Sequence, residues 1–213
     1  KKKDAKSAAP LLKKVVAANA PEELAAPALY LLAFIDFDAG NYDAAGKAFA
    51  AMATQFPKHT QAPDAVYQQG ICLVESAQAD FLSGSDKKTA TGKTKTQQAI
   101  DVFNAYTKAN PTAKHITEAK HLVATSHAKL DQHDNAVTIL TALAADKDSK
   151  KDTILYDLAW SQRALEKTDD AIKTYRDLLA TFSDSELLTQ SRVELAELLY
   201  EKKEYQPATD LLE

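Results

Sequence analysis

Apolar residues recur along the chain at a spacing typical of amphipathic helices. Six times, an alanine is followed four residues later by a large apolar residue, which places both side chains on one helix face. The six pairs are Ala8/Leu12, Ala45/Phe49, Ala99/Phe103, Ala136/Leu140, Ala171/Tyr175 and Ala208/Leu212. Successive alanines are 37, 54, 37, 35 and 37 residues apart, so one interval contains 17 additional residues. The pattern predicts a repeated helical unit with one insertion.

Each repeat also contains a small residue 12 positions before its alanine. These residues are Ala33, Ala124, Ala159 and Ala196, and Gly70 joins them once the insertion is removed. Turn-forming residues follow the second helix of each unit, namely Pro21, Pro57, Pro111, Asp148 and Ser183. We therefore expect antiparallel helix pairs whose small residues permit close packing. The predicted ranges are 1–21 for a lone second helix, then 26–57, 63–111, 117–148, 152–183 and 189–213.

This arrangement resembles the tetratricopeptide repeat, whose helix pair has a small residue in its first helix and an alanine, an aromatic residue and a proline in its second. The resemblance covers the whole chain and implies an all-α, right-handed superhelical solenoid. We expect about five units in a single solenoid fragment, with partial units at both ends. By this register, residues 1–20 form a second helix without its first, so the natural protein is expected to continue in both directions.

The additional residues are expected to form a flexible polar loop near 76–96. This segment contains Gly92-Lys93-Thr94, the end of a phosphate-binding loop, but Lys87 stands where that motif needs a second glycine. The interpretation is a basic insertion whose lysines are available to an acidic surface, not a nucleotide site.

Catalytic and metal-binding motifs are not found in the sequence. His115, His121, His127 and His133 recur every six residues, which places neighbouring side chains on different helix faces. Cys72 lies in an apolar stretch, where a buried thiol is expected. We predict a protein that is not an enzyme and that has no cofactor or metal.

The predicted function is protein binding. In a solenoid of helix pairs, the first helices line the concave surface, and aromatic residues and arginine are frequent anchors of protein interfaces. The predicted partner-binding groove comprises Tyr30, Phe34, Phe37, Tyr67, Ile71, Tyr156, Trp160, Arg163 and Tyr200. The expected occupant of this groove is an extended peptide or a partner helix. The alternative is that these side chains only pack between stacked helices.

The net charge and the length of the apolar runs bear on which kind of partner the chain binds. The net charge of −4 disfavours a nucleic-acid binder, and no apolar run is long enough to span a membrane. The partner is expected to be one or more proteins or a larger protein complex, and the alternative is a second copy of the chain in a homo-oligomer.

The connector Phe56-Pro57 to Asp64-Ala65-Val66-Tyr67-Gln68-Gln69-Gly70 is similar to connectors of the Tol-Pal coordinator family and the outer-membrane barrel-assembly lipoprotein family. That resemblance implies a periplasmic scaffold in a bacterial cell envelope. The alternative is an intracellular adaptor or a regulatory domain of a larger protein.

Overall fold

Helices and short turns make up the part of the chain that the structure describes. A computed structural model describes residues 2–18, 20–149 and 151–212, with side chains from residue 8 onward. Within those ranges there is no strand. The helices are α1 (Lys2–Ala17), α2 (Glu22–Asp38), α3 (Tyr42–Gln55), α4 (Ala62–Leu82), α5 (Asp86–Ala109), α6 (Ile116–Lys129), α7 (His133–Ala145), α8 (Asp152–Ala164), α9 (Thr168–Thr181), α10 (Leu188–Glu201) and α11 (Tyr205–Asp210). The prediction of an all-α fold built from helix pairs is confirmed.

The turns inside the helix pairs share one backbone feature. A residue in the left-handed region follows the first helix of four pairs: Gly40, Asp131, Glu166 and Lys203, with φ of 79°, 60°, 58° and 66°. Each lies seven positions after the small residue of its repeat. The left-handed residue ends the first helix and turns the chain into the second.

The chain divides into two compact units. Unit 1 comprises residues 1–119 and unit 2 residues 120–213, whereas the sequence pattern treats 1–213 as one solenoid. In unit 1, Phe49 and Met52 are fully buried in a cluster that includes Ala33 and Cys72. In unit 2, Tyr175 is fully buried among Leu195, Leu198 and Leu199. The repeated alanine and large apolar positions thus supply much of both cores.

The predicted loop at 76–96 is wrong. Most of this segment is helical, because α4 extends to Leu82 and α5 begins at Asp86. The turn between them is short and contains Gly84, with φ of 69°. The additional residues therefore lengthen both helices of one pair, and Gly92-Lys93-Thr94 lies inside α5.

Gly92 lies in close contact with α4. A Cβ atom there would lie 3.2 Å from the Ala77 carbonyl oxygen and 3.2 Å from the Phe81 ring. The hydroxyls of Thr91, Thr94 and Thr96 donate hydrogen bonds to carbonyl oxygens four residues earlier in α5. Glycine and threonine, which resemble loop residues in the sequence, here satisfy close packing and internal hydrogen bonding.

Two lysines of the insertion pair with a buried carboxylate. Lys88 Nζ and Lys95 Nζ each lie 2.9 Å from an oxygen of Asp80, whose side chain is almost fully buried in α4. Lys95 also donates to Ser76 Oγ at 2.6 Å and lies 3.0 Å from Asp43 Oδ1. These contacts connect α3, α4 and α5 and bury most of the Lys95 side chain, whereas the Lys88 side chain is 57% exposed. Contact of the insertion's lysines with an outside acidic surface stays a prediction.

Asp80 makes the stability of unit 1 dependent on pH. Hydrogen bonds from Lys95 and Lys88 lower the pKa of Asp80, so this carboxyl stabilises the fold above its unfolded-state pKa of about 4. That stabilisation is lost as the pH falls through the lower, folded-state pKa. We expect Asp80→Asn to be less stable than the wild type at pH 7, with the difference shrinking below about pH 4. Urea unfolding followed by circular dichroism at each pH measures this, and a difference that stays constant down to about pH 2 contradicts it.

Candidate partner-binding site

The predicted groove residues of α2 form an aromatic cluster. The rings of Tyr30 and Phe34 lie 5.0 Å apart, and both contact Phe49 of α3 edge to face, at 5.5 and 5.0 Å. Phe37 contacts the ring of Tyr42 at 5.2 Å. All three predicted residues are half-buried. Much of their surface is therefore used for packing between α2 and α3.

Tyr67 is buried, with only 3% of its surface exposed. Its ring stacks on His115 at 4.4 Å and also packs against Phe103 and Tyr106. Burial, together with a hydrogen bond to Glu118, raises the pKa of Tyr67. The structure thus leaves Tyr67 little surface for a partner. Ile71, one turn further along α4, is half-buried.

His115 belongs to a polar chain on the same side of unit 1. Its Nδ1 lies 3.2 Å from Glu118 Oε2, and its Nε2 lies 3.7 Å from Asp64 Oδ1. Tyr30 Oη donates a hydrogen bond to the other oxygen of Asp64. These contacts connect α2, α4 and the start of α6, and they leave few free polar groups there for a ligand.

Trp160 is the most accessible predicted aromatic side chain on α8, with 44% of its surface exposed. Its ring contacts His133 edge to face at 5.4 Å. Beside it is a cavity of about 180 Å³ between α6, α7 and α8. The residues lining this cavity are Thr125, Ala128, Lys129, Leu140, Asp157, Trp160 and Ser161. We call these residues and their cavity the Trp160 site.

The Asp157 carboxylate and the Ser161 hydroxyl of the Trp160 site differ in their hydrogen bonding. Asp157 Oδ2 lies 2.6 Å from His121 Nε2, which fixes the carboxylate between α6 and α8. Ser161 is 1% exposed, and its hydroxyl has no hydrogen-bond partner within the described ranges. A buried hydroxyl without a partner is costly, so a ligand group that reaches Ser161 would gain a hydrogen bond.

Arg163 is surrounded by carboxylates of α10. Its guanidinium donates to Glu194 at 2.6 Å, to Glu197 at 3.0 Å and to Glu201 at 3.2 Å. Burial lowers the pKa of Arg163, but the hydrogen bonds with Glu197 and Glu194 outweigh it and raise the pKa overall. One guanidinium facing three carboxylates leaves this group with a net negative charge. Arg163 therefore holds α8 against α10, and the free charge at this place is acidic.

Tyr156 and Tyr200 differ in exposure. Tyr156 is half-buried and contacts the Tyr175 ring at 5.9 Å, whereas Tyr200 is 66% exposed and contacts the Tyr205 ring at 5.2 Å. The structure thus brings Tyr156 and Arg163 into helix packing and leaves Trp160 and Tyr200 on the surface. Partner binding by all nine residues stays a prediction.

Sequence reasoning missed several residues of these surfaces. Asp157 and Ser161 flank Trp160 on α8, and the spacing of Glu194, Glu197 and Glu201 by three and four residues places them on one face of α10. The sequence shows this spacing of the glutamates. It does not show that they contact Arg163, because that contact depends on how α8 is positioned against α10 in the next repeat.

The one cysteine, Cys72, is not placed to act as a nucleophile. Cys72 is buried, as predicted, and burial raises the pKa of its thiol to about 12, so the thiol is protonated at neutral pH. Within the described ranges, no cluster of three or more His, Cys, Asp and Glu residues is placed to hold a metal ion. No described helix is long and apolar enough to cross a membrane.

Solved structures with a similar fold cover most of the chain. MamA from Desulfovibrio magneticus RS-1 is 16% identical with a TM-score of 0.67, and the match covers 88% of this chain and 90% of that one. A thermophilic TPR protein of Thermus thermophilus is 19% identical with a TM-score of 0.57, covering 92% and 91%. The apo form of RapI is 12% identical with a TM-score of 0.71, covering 95% of this chain and 56% of RapI. At these identities, the likeness shows the fold alone.

Sequence comparison identifies the repeat itself. The family described as Tetratricopeptide repeat matches residues 27–59 and 154–185, which correspond to the pairs α2/α3 and α8/α9. No curated protein matches the sequence. The chain therefore contains tetratricopeptide repeats and has the fold of a tetratricopeptide-repeat protein.

Proposed function

We propose that this chain is a non-catalytic scaffold that binds a protein partner at the Trp160 site, through a peptide or helix laid along the first helices of unit 2. The observation that supports this most directly is Trp160 itself, half-exposed beside a cavity that contains an unpaired buried hydroxyl. Tryptophan is frequent among residues that dominate interface energies, because its large ring loses much water-exposed surface on binding. Tetratricopeptide-repeat proteins typically bind protein partners, and the fold agrees with this role.

The charges near Trp160 favour a protein over a nucleic acid. Asp157 lines the Trp160 site together with Lys129 and lies 2.6 Å from His121, and one helical turn after Trp160, Arg163 faces Glu194, Glu197 and Glu201 of α10. The excess of carboxylates at Arg163 disfavours phosphate groups, which supply most of the affinity in nucleic-acid binding. A partner with lysine or arginine near an apolar anchor fits it better.

We expect Trp160→Ala to weaken partner binding by about tenfold or more, because it removes the exposed ring and opens the cavity. The measurement is affinity capture with the wild type and the variant from separate periplasmic and cytoplasmic extracts of the source cells, followed by titration of the captured protein. Leu31→Ala, which truncates an exposed apolar side chain in unit 1, is the matched control and should leave binding unchanged. Equal capture by the wild type and a folded Trp160→Ala variant would contradict the proposal.

The same experiment tests the compartment. We propose a bacterial cell-envelope role, supported by the likeness of the connector before Gly70 to periplasmic scaffold families. A partner captured only from the periplasmic extract agrees with this proposal. A partner captured only from the cytoplasmic extract favours an intracellular adaptor or regulatory domain.

A further inference from the structure

The cavity of the Trp160 site results from a difference in side-chain size between equivalent positions of neighbouring repeats. The residues one and four places after the small residue are Trp160 and Arg163 in α8, but Thr125 and Ala128 in α6. The short side chains of α6 leave a space of about 180 Å³ beside Trp160. All the residues that line this space belong to unit 2, where α9 and α10 follow them, so the cavity lies between complete helices.

The walls of the cavity suit a side chain with an apolar stem. Ala128 and Leu140 supply apolar surface, and Trp160 supplies the face or edge of its indole ring. A cavity of about 180 Å³ has the volume of roughly six water molecules, so it takes one side chain of about five or six non-hydrogen atoms. A partner side chain of that size removes its own apolar surface and that of the cavity from water.

The polar atoms of the cavity favour an occupant that donates hydrogen bonds and is positively charged. Ser161 is 1% exposed, and its hydroxyl oxygen, which has no partner among the described residues, can accept a hydrogen bond. Asp157 supplies a carboxylate, which accepts hydrogen bonds and does not donate them. The face of an indole ring also attracts a cation. An ammonium group, with three N–H donors and a positive charge, matches these groups.

An ammonium group fits the cavity better than a guanidinium group. Arginine binds a carboxylate most strongly through two parallel hydrogen bonds, one to each oxygen. The Oδ2 atom of Asp157 already lies 2.6 Å from His121 Nε2, so such a pair would have to displace this contact. Lysine is a compact point charge that needs only one oxygen. Lys129 also lines the cavity and opposes a second positive charge, but its side chain is exposed, so solvent and salt weaken the repulsion.

We propose that the Trp160 site binds a lysine side chain of the protein partner. The four-carbon stem packs against Leu140 and Trp160, and the ammonium donates hydrogen bonds to Ser161 Oγ and to the Asp157 carboxylate. This inference rests on the proposed function and deepens it, because it names the partner residue that enters the cavity. One lysine thus supplies both the apolar contact and the positive charge.

Single amino-acid derivatives are the probes, so that the test does not depend on the identity of the partner. Nα-acetyl-lysine methylamide is compared with the norleucine derivative, which lacks the ammonium, and with the Nε-acetylated derivative, which lacks the charge. NMR titration follows the indole N–H of Trp160, the one tryptophan in the chain. We expect the lysine probe to bind at millimolar concentration, at least about fivefold more tightly than either control, with a smaller difference at high salt. The arginine derivative should bind more weakly than the lysine probe.

Variants of the cavity test which atoms hold the ammonium. Asp157→Asn should weaken the lysine probe by about tenfold, and Ser161→Ala by about fivefold, while the norleucine probe is unchanged. Ser191→Ala is the matched control, because Ser191 is also buried without a hydrogen-bond partner in the described part of the chain but does not line the cavity. Lys129→Gln should tighten the lysine probe by about twofold, because it removes a repelling charge. Thermal melts check that each variant is folded.

Three results would overturn the inference. They are no binding of the lysine probe at tens of millimolar, equal affinity for the lysine and norleucine probes at low salt, and an unchanged lysine preference in folded Ser161→Ala and Asp157→Asn variants. Tighter binding of Nα-acetyl-glutamate methylamide than of the lysine probe would likewise show that the cavity takes an anion instead.

Failure of this inference is distinguishable from failure of the proposed function. If Trp160→Ala loses the captured partner while the lysine and norleucine probes bind equally, the proposed function stands and a lysine anchor is excluded. If the lysine preference is found but Trp160→Ala captures the partner as the wild type does, the proposed function is contradicted although the cavity takes lysine.

Discussion

Gly70→Ala is expected to lower the free energy of unfolding by about 2 to 3 kcal/mol or more. A Cβ atom at Gly70 would lie 2.5, 2.6 and 2.9 Å from three atoms of the Phe103 ring, well inside van der Waals contact. Alanine in a helix interior normally stabilises a protein by about 1 kcal/mol relative to glycine. The variant is therefore less stable than the wild type only if the steric clash costs more than this. We expect the clash to win, because Phe103 is fully buried and its ring also contacts Tyr67.

Three further variants, Gly46→Ala, Phe103→Leu and the double variant Gly70→Ala/Phe103→Leu, test this explanation. In Gly46→Ala, the new Cβ meets only the Cys72 Cβ atom, at 3.1 Å, so we expect a change within about 1 kcal/mol. The double variant Gly70→Ala/Phe103→Leu should be more stable than the sum of the two single losses predicts, because leucine removes the clashing ring atoms. Urea unfolding followed by circular dichroism at 222 nm measures the wild type, Gly70→Ala, Phe103→Leu, the double variant and Gly46→Ala. Simple additivity of the two losses would show that the ring is not the cause.

The sequence register predicts the close packing because repeated helix pairs impose the same contacts in each unit. Ala33, Ala124 and Ala159 are fully buried, and Gly70 occupies the same register position, where Phe103 excludes even a methyl group. Such positions are readable because a repeated steric requirement selects small residues at a fixed spacing. The same argument predicts the buried positions Phe49 and Phe103.

The insertion could not be interpreted in this way, because it occurs once and no second unit shows its pattern. Its glycine and threonines favour a loop when taken alone. The structure instead uses Gly92 for close approach to α4 and pairs Lys88 and Lys95 with Asp80. These residues are compatible with a helix because α5 packs against α4.

The candidate site was predictable only in part. The register identified the face of the first helices that carries Trp160 and Tyr200, which are exposed. It did not show that His115 covers Tyr67 or that three glutamates surround Arg163, because those contacts come from neighbouring elements. A register thus specifies a helix face, whereas the neighbours on that face decide whether a side chain remains available.

Tyr175→Ala is expected to lower the free energy of unfolding by about 3 to 5 kcal/mol, the largest effect of a single truncation in unit 2. The side chain is fully buried among residues of α8, α9 and α10, so its removal leaves a cavity that close-packed helices fill only in part. Urea unfolding followed by circular dichroism and by the fluorescence of Trp160, the one tryptophan in the chain, measures the loss.

Tyr175→Phe separates the contribution of the ring from that of the hydroxyl. Burial raises the pKa of Tyr175, and its hydroxyl has no hydrogen-bond partner within the described ranges. Removing a buried hydroxyl that makes no hydrogen bond also removes its desolvation cost, so Tyr175→Phe should be as stable as the wild type or more stable by up to about 1 kcal/mol. A loss of about 2 kcal/mol in Tyr175→Phe would instead require that the hydroxyl be hydrogen-bonded in the folded protein, for example to a buried water. The ring, rather than the hydroxyl, is therefore expected to account for the stabilisation at this repeat position, where the other units have Phe49, Phe103 and Leu140.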